Sequence, residues 1–161
     1  MSAEKGGRMD LILWRHAEAL EMREVEDDLQ RSLTSKGERQ AQRMAGWLNR
    51  QLPSSARVLA SPARRTQQTA AALERKVKTM AELAPDGTVE GLLHAVRWPE
   101  SREPVLVVGH QPTLGLAAAY LLSSQPQAWA VRKGGLWWLR AREREGQLQV
   151  VLHAVMAAEL L

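Results

Sequence analysis

Residues 11–19 read LILWRHAEA, and this stretch decides the fold. A short, nearly continuous apolar run predicts a buried strand over residues 10–14. The run stops at Arg15 and His16, two adjacent side chains that are cationic or nearly so. Because every strand has to end in something polar, the pair by itself allows two interpretations. It either marks the end of the strand in solvent or lies at the mouth of a binding site.

The rest of the chain alternates between predicted strands and predicted helices. Strands are predicted at residues 57–60, 77–80 and 104–110, with a final pair at residues 136–140 and 147–155 joined around Glu145 and Gly146. Helices are predicted over residues 34–51 with Thr34 as N-cap, from Ser61-Pro62 with the proline in the first turn, from Asp86 or Thr88 to Trp98, and after Gln111-Pro112. This alternation predicts an α/β three-layer sandwich, in which a mostly parallel central sheet is flanked by helices. The final pair of strands would add an antiparallel edge.

Length and composition favour one domain in a reducing compartment. The 161 residues are enough for a single domain over residues 1–161 with a core of its own. The chain has no Cys, which excludes disulfides, thiolate metal sites and a cysteine nucleophile. The first residues lack the apolar core of a signal peptide, and no apolar run reaches the roughly 20 residues that span a membrane. We therefore expect a cytoplasmic protein.

The charged residues do not indicate a nucleic-acid or membrane surface. The formal net charge is +4, and the basic residues are scattered in short groups rather than in one long block. We expect most of them to lie in solvent. The acidic segment 18–28 is expected to be a solvated loop rather than a metal site, although it could fringe the pocket and repel small anions. We therefore expect a monomer with no nucleic-acid partner and no membrane partner. A modest positive charge also suits a phosphorylated substrate.

Basic side chains follow three of the predicted strands, at the point where each strand ends. His16 follows the first strand, Arg65 lies in the turn of helix after residues 57–60, and His110 follows the strand around residues 105–108. Ligands of an open α/β sheet bind at the carboxyl ends of its strands, so we expect these side chains to share one edge.

This set of side chains suits a phosphoryl group. Arg15 and Arg65 carry planar guanidinium groups that match phosphate oxygens. An imidazole can act as nucleophile, acid, base or hydrogen-bond donor, and nearby arginines disfavour its protonated form. Helix N-termini after Ser61 and Gln111 would add backbone dipoles for an anion. The pattern predicts a phosphate site that works without a metal or other cofactor.

Signatures of other enzyme classes are missing from the sequence. There is no Walker A loop, no G-x-G-x-x-G, no H-E-x-x-H and no G-x-S-x-G. Residues 16–18 match the H-x-E of zinc deaminases, but the cysteines that this class requires are absent. No two of the four His have helical ligand spacing, so we expect no metal site. His94 and His153 are expected to be structural or surface residues.

Four segments resemble motifs of the histidine phosphatase superfamily: RHAEA at 15–19, LTSKG at 33–37, SPARRTQQTA at 61–70 and VVGHQPTLG at 107–115. Their order and spacing are similar to the small bacterial branch, the SixA-type phosphohistidine phosphatases. The resemblance covers almost the whole chain and implies a phosphoglycerate-mutase-like fold. One departure is Ala17, which replaces the glycine of the larger family's RHG.

The resemblance implies a role for each predicted site residue. His16 would be the nucleophile, forming a transient phosphohistidine that water then hydrolyses. Arg15 and Arg65 would bind the phosphoryl group, and His110 would donate a hydrogen bond to it. In the SPxxR pattern the matching arginine is Arg65, so Arg64 is expected to point elsewhere.

The substrate depends on whether a general acid is present. Relatives that cleave phosphate esters carry a Glu or Asp between the third strand and the second histidine, where this chain offers Glu82, Asp86 and Glu90. Glu82 matches the ELxPxG of the small branch, which makes it a candidate acid, although a loop or capping role is equally open. The P–N bond of phosphohistidine needs less acid assistance than an ester. Together with a short chain and an open site, this favours phosphohistidine on a protein, such as a histidine phosphotransfer domain in signal transduction.

Two alternative functions remain open from the sequence. One is a phosphomonoesterase on the same fold, or a mutase, acting on small molecules or on phosphoserine and phosphothreonine. The other is a non-catalytic module that binds phosphate groups through a degenerate site.

Overall fold

The computed structural model describes residues 8–22 and 27–161. In this part of the chain six strands form one sheet: β1 (Arg8–Arg15), β2 (Arg57–Ala60), β3 (Lys78–Thr79), β4 (Val105–Gly109), β5 (Leu136–Arg144) and β6 (Gln147–Met156). The α-helices are α1 (Ser35–Gln51), α2 (Arg64–Ala71), α3 (Val89–Val96) and α4 (Thr113–Ser123). None of the helices in the described ranges is long and apolar enough to cross a membrane.

The sheet is parallel at its centre and antiparallel at one edge. Its strands lie in the order β3-β2-β4-β1-β5-β6. β4 pairs in parallel with β1 and β2, and β2 also pairs in parallel with β3. β5 runs antiparallel to β1, and β6 runs antiparallel to β5. The predicted α/β sandwich with a mostly parallel sheet is therefore confirmed, including its antiparallel edge.

β1 is buried on both faces, which explains its continuous apolar run. Leu11 and Leu13 belong to the core that includes residues of α3 and α4. Ile12 and Trp14 belong to the core on the other face, which includes residues of α1 and α2. Successive side chains of a strand point to opposite faces, so a strand between two helical layers is apolar throughout. Because β1 is packed on both faces, it fixes the position of the residues at its carboxyl end.

Two predicted elements are shorter in the structure. α3 ends at Val96 rather than at Trp98, because Arg97 adopts a left-handed conformation with φ of 60° that caps the helix. β3 comprises only Lys78–Thr79 instead of residues 77–80.

The predicted starts of α1 and α3 are confirmed, whereas the predicted start of α2 is not. Thr34 caps α1 by accepting a hydrogen bond from the Gly37 N–H at 3.0 Å, as predicted. Thr88 caps α3, which settles the choice between Asp86 and Thr88. The expectation for Pro62 is wrong, because α2 begins at Arg64 and the proline lies before the helix.

Candidate active site

The carboxyl ends of β1, β2 and β4 meet at one edge of the sheet. Arg15 pairs with Gly109 at the end of β4, and the backbone N–H of His16 donates to the Gly109 carbonyl at 3.1 Å. On the other side of β4, the Ser61 N–H donates to the Val108 carbonyl at 3.1 Å. The residues that follow β1 and β2 therefore flank the end of β4.

The four predicted site residues lie together at this edge. The ring centroids of His16 and His110 are 5.4 Å apart, with the ring planes inclined by 55°. Both imidazoles and the Arg65 side chain are at most 5% exposed, and Arg15 is partly buried. The charges of Arg15 and Arg65 act on both imidazoles. The arrangement brings two imidazoles and two guanidinium groups to the same edge of the sheet.

His16 is held as a neutral imidazole with a defined tautomer. Its Nδ1 lies 2.7 Å from the Ala17 carbonyl, which can only accept, so Nδ1 carries the proton. Nε2 therefore keeps its lone pair. The pKa of His16 is lowered to about 4, mainly by burial. The hydrogen bond to Ala17 opposes this shift, and the charges of Arg65 and Arg15 add to it. At neutral pH the ring is a nucleophile rather than a cation.

His110 is oriented by a buried serine. Its Nε2 lies 2.8 Å from the Ser61 hydroxyl, and that hydroxyl also accepts a hydrogen bond from the Ala63 N–H at 3.1 Å. Burial lowers the pKa of His110 to about 3, with the charge of Arg65 as the next cause. Sequence analysis treated Ser61 only as the start of a helix and missed this contact. The signal was available in its position directly after a strand that ends at the site.

The site contains buried polar nitrogens that have no hydrogen-bond partner in residues 8–22 and 27–161. They are Nε of Arg15, Nε of Arg65 and Nδ1 of His110. Arg15 also donates from Nη1 to the Val131 carbonyl at 3.0 Å, which fixes the orientation of its guanidinium group. A buried polar group without a partner costs about 1–3 kcal/mol. Three such groups beside one nucleophilic imidazole are a suitable arrangement for an oxyanion with several acceptor oxygens.

Arg65 is bound to a turn that sequence analysis missed. Its Nη1 donates to the Asp28 carbonyl at 2.7 Å, and its Nη2 pairs with the Asp28 carboxylate at 3.0 Å. Arg31 pairs with the other carboxylate oxygen at 3.1 Å and donates to the Leu20 carbonyl at 2.6 Å. Burial raises the pKa of Asp28, but the hydrogen bonds from Arg31 and Arg65 outweigh it and lower the pKa.

The segment 18–28 is expected to be a solvated loop that could fringe the pocket, and the partly exposed Asp28 does contact the site residue Arg65. Residues 23–26 of that segment lie outside the described residues. A signal in the sequence was the spacing of Asp28 and Arg31, which are three residues apart and lie shortly before LTSKG at 33–37.

The remaining candidates differ from the four site residues in their surroundings. Glu82 is in a single 3-10 turn, and its carboxylate is 3.8 Å from Nδ1 of the exposed His94. Among the described residues, no hydrogen bond or ion pair joins Glu82 to the four site residues. Arg64 is exposed whereas its neighbour Arg65 is buried. His153 packs edge-on against Trp138, with ring centroids 5.2 Å apart. No group of three His, Cys, Asp or Glu in residues 8–22 and 27–161 could hold a metal ion.

A family model and a relative match large parts of this chain. The model of the histidine phosphatase superfamily (branch 1) matches residues 11–88. An uncharacterized protein of Picosynechococcus sp. is 32% identical over 141 residues, which cover 83% of this chain and 86% of that protein.

Solved structures share the fold over almost the full length. A candidate phosphohistidine phosphatase, SixA, from Nakamurella multipartitia has a TM-score of 0.77 and 28% identity, and the match covers 95% of this chain and 98% of that one. The protein histidine phosphatase SixA complexed with tungstate has a TM-score of 0.78 at 24% identity, with 94% and 99% covered. A phosphoserine phosphatase mutant from Entamoeba histolytica, complexed with phosphoserine, has a TM-score of 0.68 at 16% identity, with 95% and 99% covered.

The fold carries two histidines and two arginines at the carboxyl ends of neighbouring strands. The chain belongs to the histidine phosphatase superfamily, and its structure is of the SixA type. This membership supports phosphatase activity.

Proposed function

We propose that this protein hydrolyses phosphohistidine on a protein substrate, through a covalent phosphohistidine formed on His16 and without a metal ion. The observation that carries the proposal is the state of His16. Its Nδ1–H is committed to the Ala17 carbonyl and its pKa is lowered to about 4, so Nε2 is a free nucleophile beside two arginines.

The first step exchanges a phosphoryl group between two imidazoles. Nε2 of His16 attacks phosphorus in line, the substrate's P–N bond breaks, and its electron pair returns to the substrate imidazole. Each ring carries its proton on the nitrogen remote from phosphorus, so the transfer of PO₃⁻ moves no proton. A general acid is therefore unnecessary for this step, which agrees with the position of Glu82 beside His94.

The second step restores the enzyme. Water attacks phosphorus, the bond from Nε2 of His16 to phosphorus breaks, and both protons of the water leave with the phosphate as H₂PO₄⁻. His16 returns to the neutral ring that it was before the reaction.

Arg15, Arg65 and His110 stabilise the phosphoryl group in both steps. The transition state spreads negative charge over three equatorial oxygens, and the unpartnered Nε atoms of the two arginines are donors for them. His110 is neutral at pH 7 because burial lowers its pKa to about 3, so it can donate from only one nitrogen. The hydrogen bond between Nε2 of His110 and the Ser61 hydroxyl determines whether Nε2 or Nδ1 carries the proton.

The proposal is tested by comparing a substrate that has a P–N bond with substrates that have a phosphate ester bond. The enzyme should be assayed with a phosphorylated histidine phosphotransfer domain, with phosphoserine and with a sugar phosphate. We expect kcat/KM to be highest for the phosphorylated domain, and EDTA to leave it unchanged. A clear preference for the esters would overturn the proposal in favour of a phosphomonoesterase. The partner protein, a monomeric state and a cytoplasmic location remain predictions from the sequence.

The covalent step has its own test. His16→Ala should abolish phosphatase activity while the far-UV circular dichroism spectrum stays that of the folded protein. Brief reaction of the unmodified enzyme should trap an acid-labile phosphoryl group that this variant does not acquire. Full activity of the variant would rule out His16 as the nucleophile.

A further inference from the structure

The turn formed by Asp28–Gln30 is fixed directly to the catalytic machinery. Asp28 binds both terminal nitrogens of Arg65, and the Asp27 carboxylate caps the turn by accepting from the Leu29 N–H at 3.0 Å. Arg31 closes the turn from the other side through Asp28 and the Leu20 carbonyl. These contacts hold the turn in one position relative to the phosphoryl-binding Arg65.

No side chain of this turn is buried, yet one of them is a leucine. Leu29 is 40% exposed, although the polar contacts of its neighbours already fix the turn. Met22, two residues after Leu20, is 46% exposed. The Leu20 N–H donates to the Ser32 carbonyl at 2.9 Å, three residues after Leu29, and this hydrogen bond joins the two described stretches. A single exposed apolar side chain on a surface is ordinary. The unusual feature is its rigid placement next to the arginine that receives the phosphoryl group.

We propose that Leu29, together with Met22, is a docking point for the protein that carries the phosphohistidine. This inference rests on the proposed function. A phosphorylated imidazole that reaches Arg65 brings its protein surface over the turn that holds Arg65. The chemistry of the turn fits an apolar patch beside the phosphorylated histidine, because burying Leu29 there removes apolar surface from water on both sides.

The proposal separates recognition of the protein from recognition of the phosphoryl group. Free phosphohistidine offers the same P–N bond as the protein substrate but has no surface to cover Leu29. Loss of the leucine should therefore act on the protein substrate alone. For an exposed contact of this size we expect a loss of about fivefold to tenfold.

Leu148 provides a matched control. It is a leucine of similar exposure, 45%, near the start of β6. It pairs with Glu143 of β5, one residue beyond the pairing of Arg142 with Arg8 at the start of β1. Leu148 thus lies at the opposite end of the sheet from Arg15 and His16. A general effect of losing an exposed leucine would appear equally in both variants.

The experiment compares Leu29→Ser and Leu148→Ser with the unmodified enzyme on two substrates. The substrates are a phosphorylated histidine phosphotransfer domain and the free amino acid phosphohistidine. We expect Leu29→Ser to lower kcat/KM about fivefold to tenfold on the domain, mainly through KM, and to leave kcat/KM on free phosphohistidine unchanged. Leu148→Ser should match the unmodified enzyme on both, and Met22→Ser should repeat the pattern of Leu29→Ser more weakly.

The outcomes distinguish the two proposals. Equal activity of Leu29→Ser and unmodified enzyme on the domain, or an equal loss on both substrates, would overturn the docking role while leaving the phosphatase function intact. Failure of the unmodified enzyme on both phosphohistidine substrates would overturn the proposed function and the docking role with it. Failure of the proposed function is measured with the unmodified enzyme alone, whereas failure of the docking role is measured by comparing Leu29→Ser with it. The two failures are therefore distinguishable.

Discussion

At the scale of single residues, His16 and His110 combine burial with one hydrogen bond for each ring among the described residues. A protonated imidazole in this place would have to share its environment with two guanidinium groups and would lose its contact with water. The neutral form is favoured for both reasons. The same burial that makes the rings inaccessible to bulk solvent therefore keeps His16 ready to attack at neutral pH.

The ionisation of His16 gives a direct prediction. Its pKa is lowered from 6.5 to about 4, so the ring should stay neutral until the pH falls well below that of free histidine. We expect the NMR signal of its ring C–H, assigned by comparison with His16→Ala, to titrate with a midpoint near pH 4. A midpoint near 6.5 would contradict the burial and the nearby arginine charges as causes of its reactivity.

Asp28 is predicted to position Arg65. Removing its carboxylate takes away a charge-assisted hydrogen bond, worth about 1.5–3 kcal/mol, while the lost charge itself is screened because Asp28 is partly exposed. We therefore expect Asp28→Ala to lower kcat/KM about tenfold, and Asp28→Asn, which can still accept from Arg65, to stay within about threefold of the unmodified enzyme.

The pair of variants separates orientation from charge. If charge alone mattered, the two substitutions would have the same effect, and both would strengthen binding of an anion. Measuring kcat and KM for both variants on one substrate decides between these explanations.

At the scale of secondary-structure elements, helix packing depends on close approach at a glycine. A Cβ at Gly115 of α4 would meet the Trp129 carbonyl oxygen inside contact distance. The Gln111 side chain joins the same elements, donating to the Trp129 carbonyl at 2.8 Å and accepting from the Gly115 N–H at 2.8 Å. The segment around Trp129 can therefore lie against α4 only because residue 115 has no side chain.

Two Gly→Ala variants should have opposite effects on stability. Gly115→Ala is expected to lower the free energy of unfolding by about 1–3 kcal/mol, because the backbone of residue 129 has to move. Gly46→Ala lies within α1, where the nearest atom to an added Cβ is an Arg50 side-chain nitrogen at 3.8 Å. That variant should raise the free energy of unfolding by about 0.5–1 kcal/mol through helix propensity. Urea unfolding of both variants measures the difference, and a stabilising Gly115→Ala would contradict the close packing.

The elements also show where sequence patterns predict the structure and where they do not. β1 and β4 were predictable, because a strand buried on both faces has to be apolar throughout. Thr34 was predictable because a capping side chain acts only on its own helix. The end of α3 depends on the left-handed Arg97, and no local residue preference requires that conformation. The contact from Asp28 to Arg65 joins residues 37 positions apart and needs the assembled fold.

At the scale of the whole molecule, the two buried neutral histidines link stability to pH. The pKa of each is lower in the folded protein than the value of 6.5 expected after unfolding. Between pH 6.5 and about 4 the unfolded chain therefore binds more protons than the folded one, and acid favours unfolding. The contribution of each histidine is complete above pH 6.5 and is lost as the pH falls towards its folded pKa.

The free energy of unfolding should therefore fall on acidification. By about pH 4.5 we expect a loss of about 2–3 kcal/mol for each histidine, on top of the contribution of other groups. Urea titrations at several pH values measure this loss. His16→Gln cannot take up the proton, so its stability should depend less steeply on pH, and an identical slope would contradict the assignment.

If Arg65 binds both Asp28 and a phosphate group, phosphate binding is coupled to the order of the turn Asp28–Gln30. The Arg65 guanidinium group binds Asp28 through its terminal nitrogens, and its Nε has no partner among the described residues. Under the proposed function, whatever fixes the arginine from one side therefore favours phosphoryl binding on the other. Linkage of this kind is reciprocal. Occupancy of the site should therefore slow amide hydrogen exchange in Asp28–Gln30, and a partner that clamps this turn should tighten the hold on phosphate. A phosphorylated protein that docks on this turn would thus increase the affinity of the enzyme for the phosphoryl group that the docking protein carries.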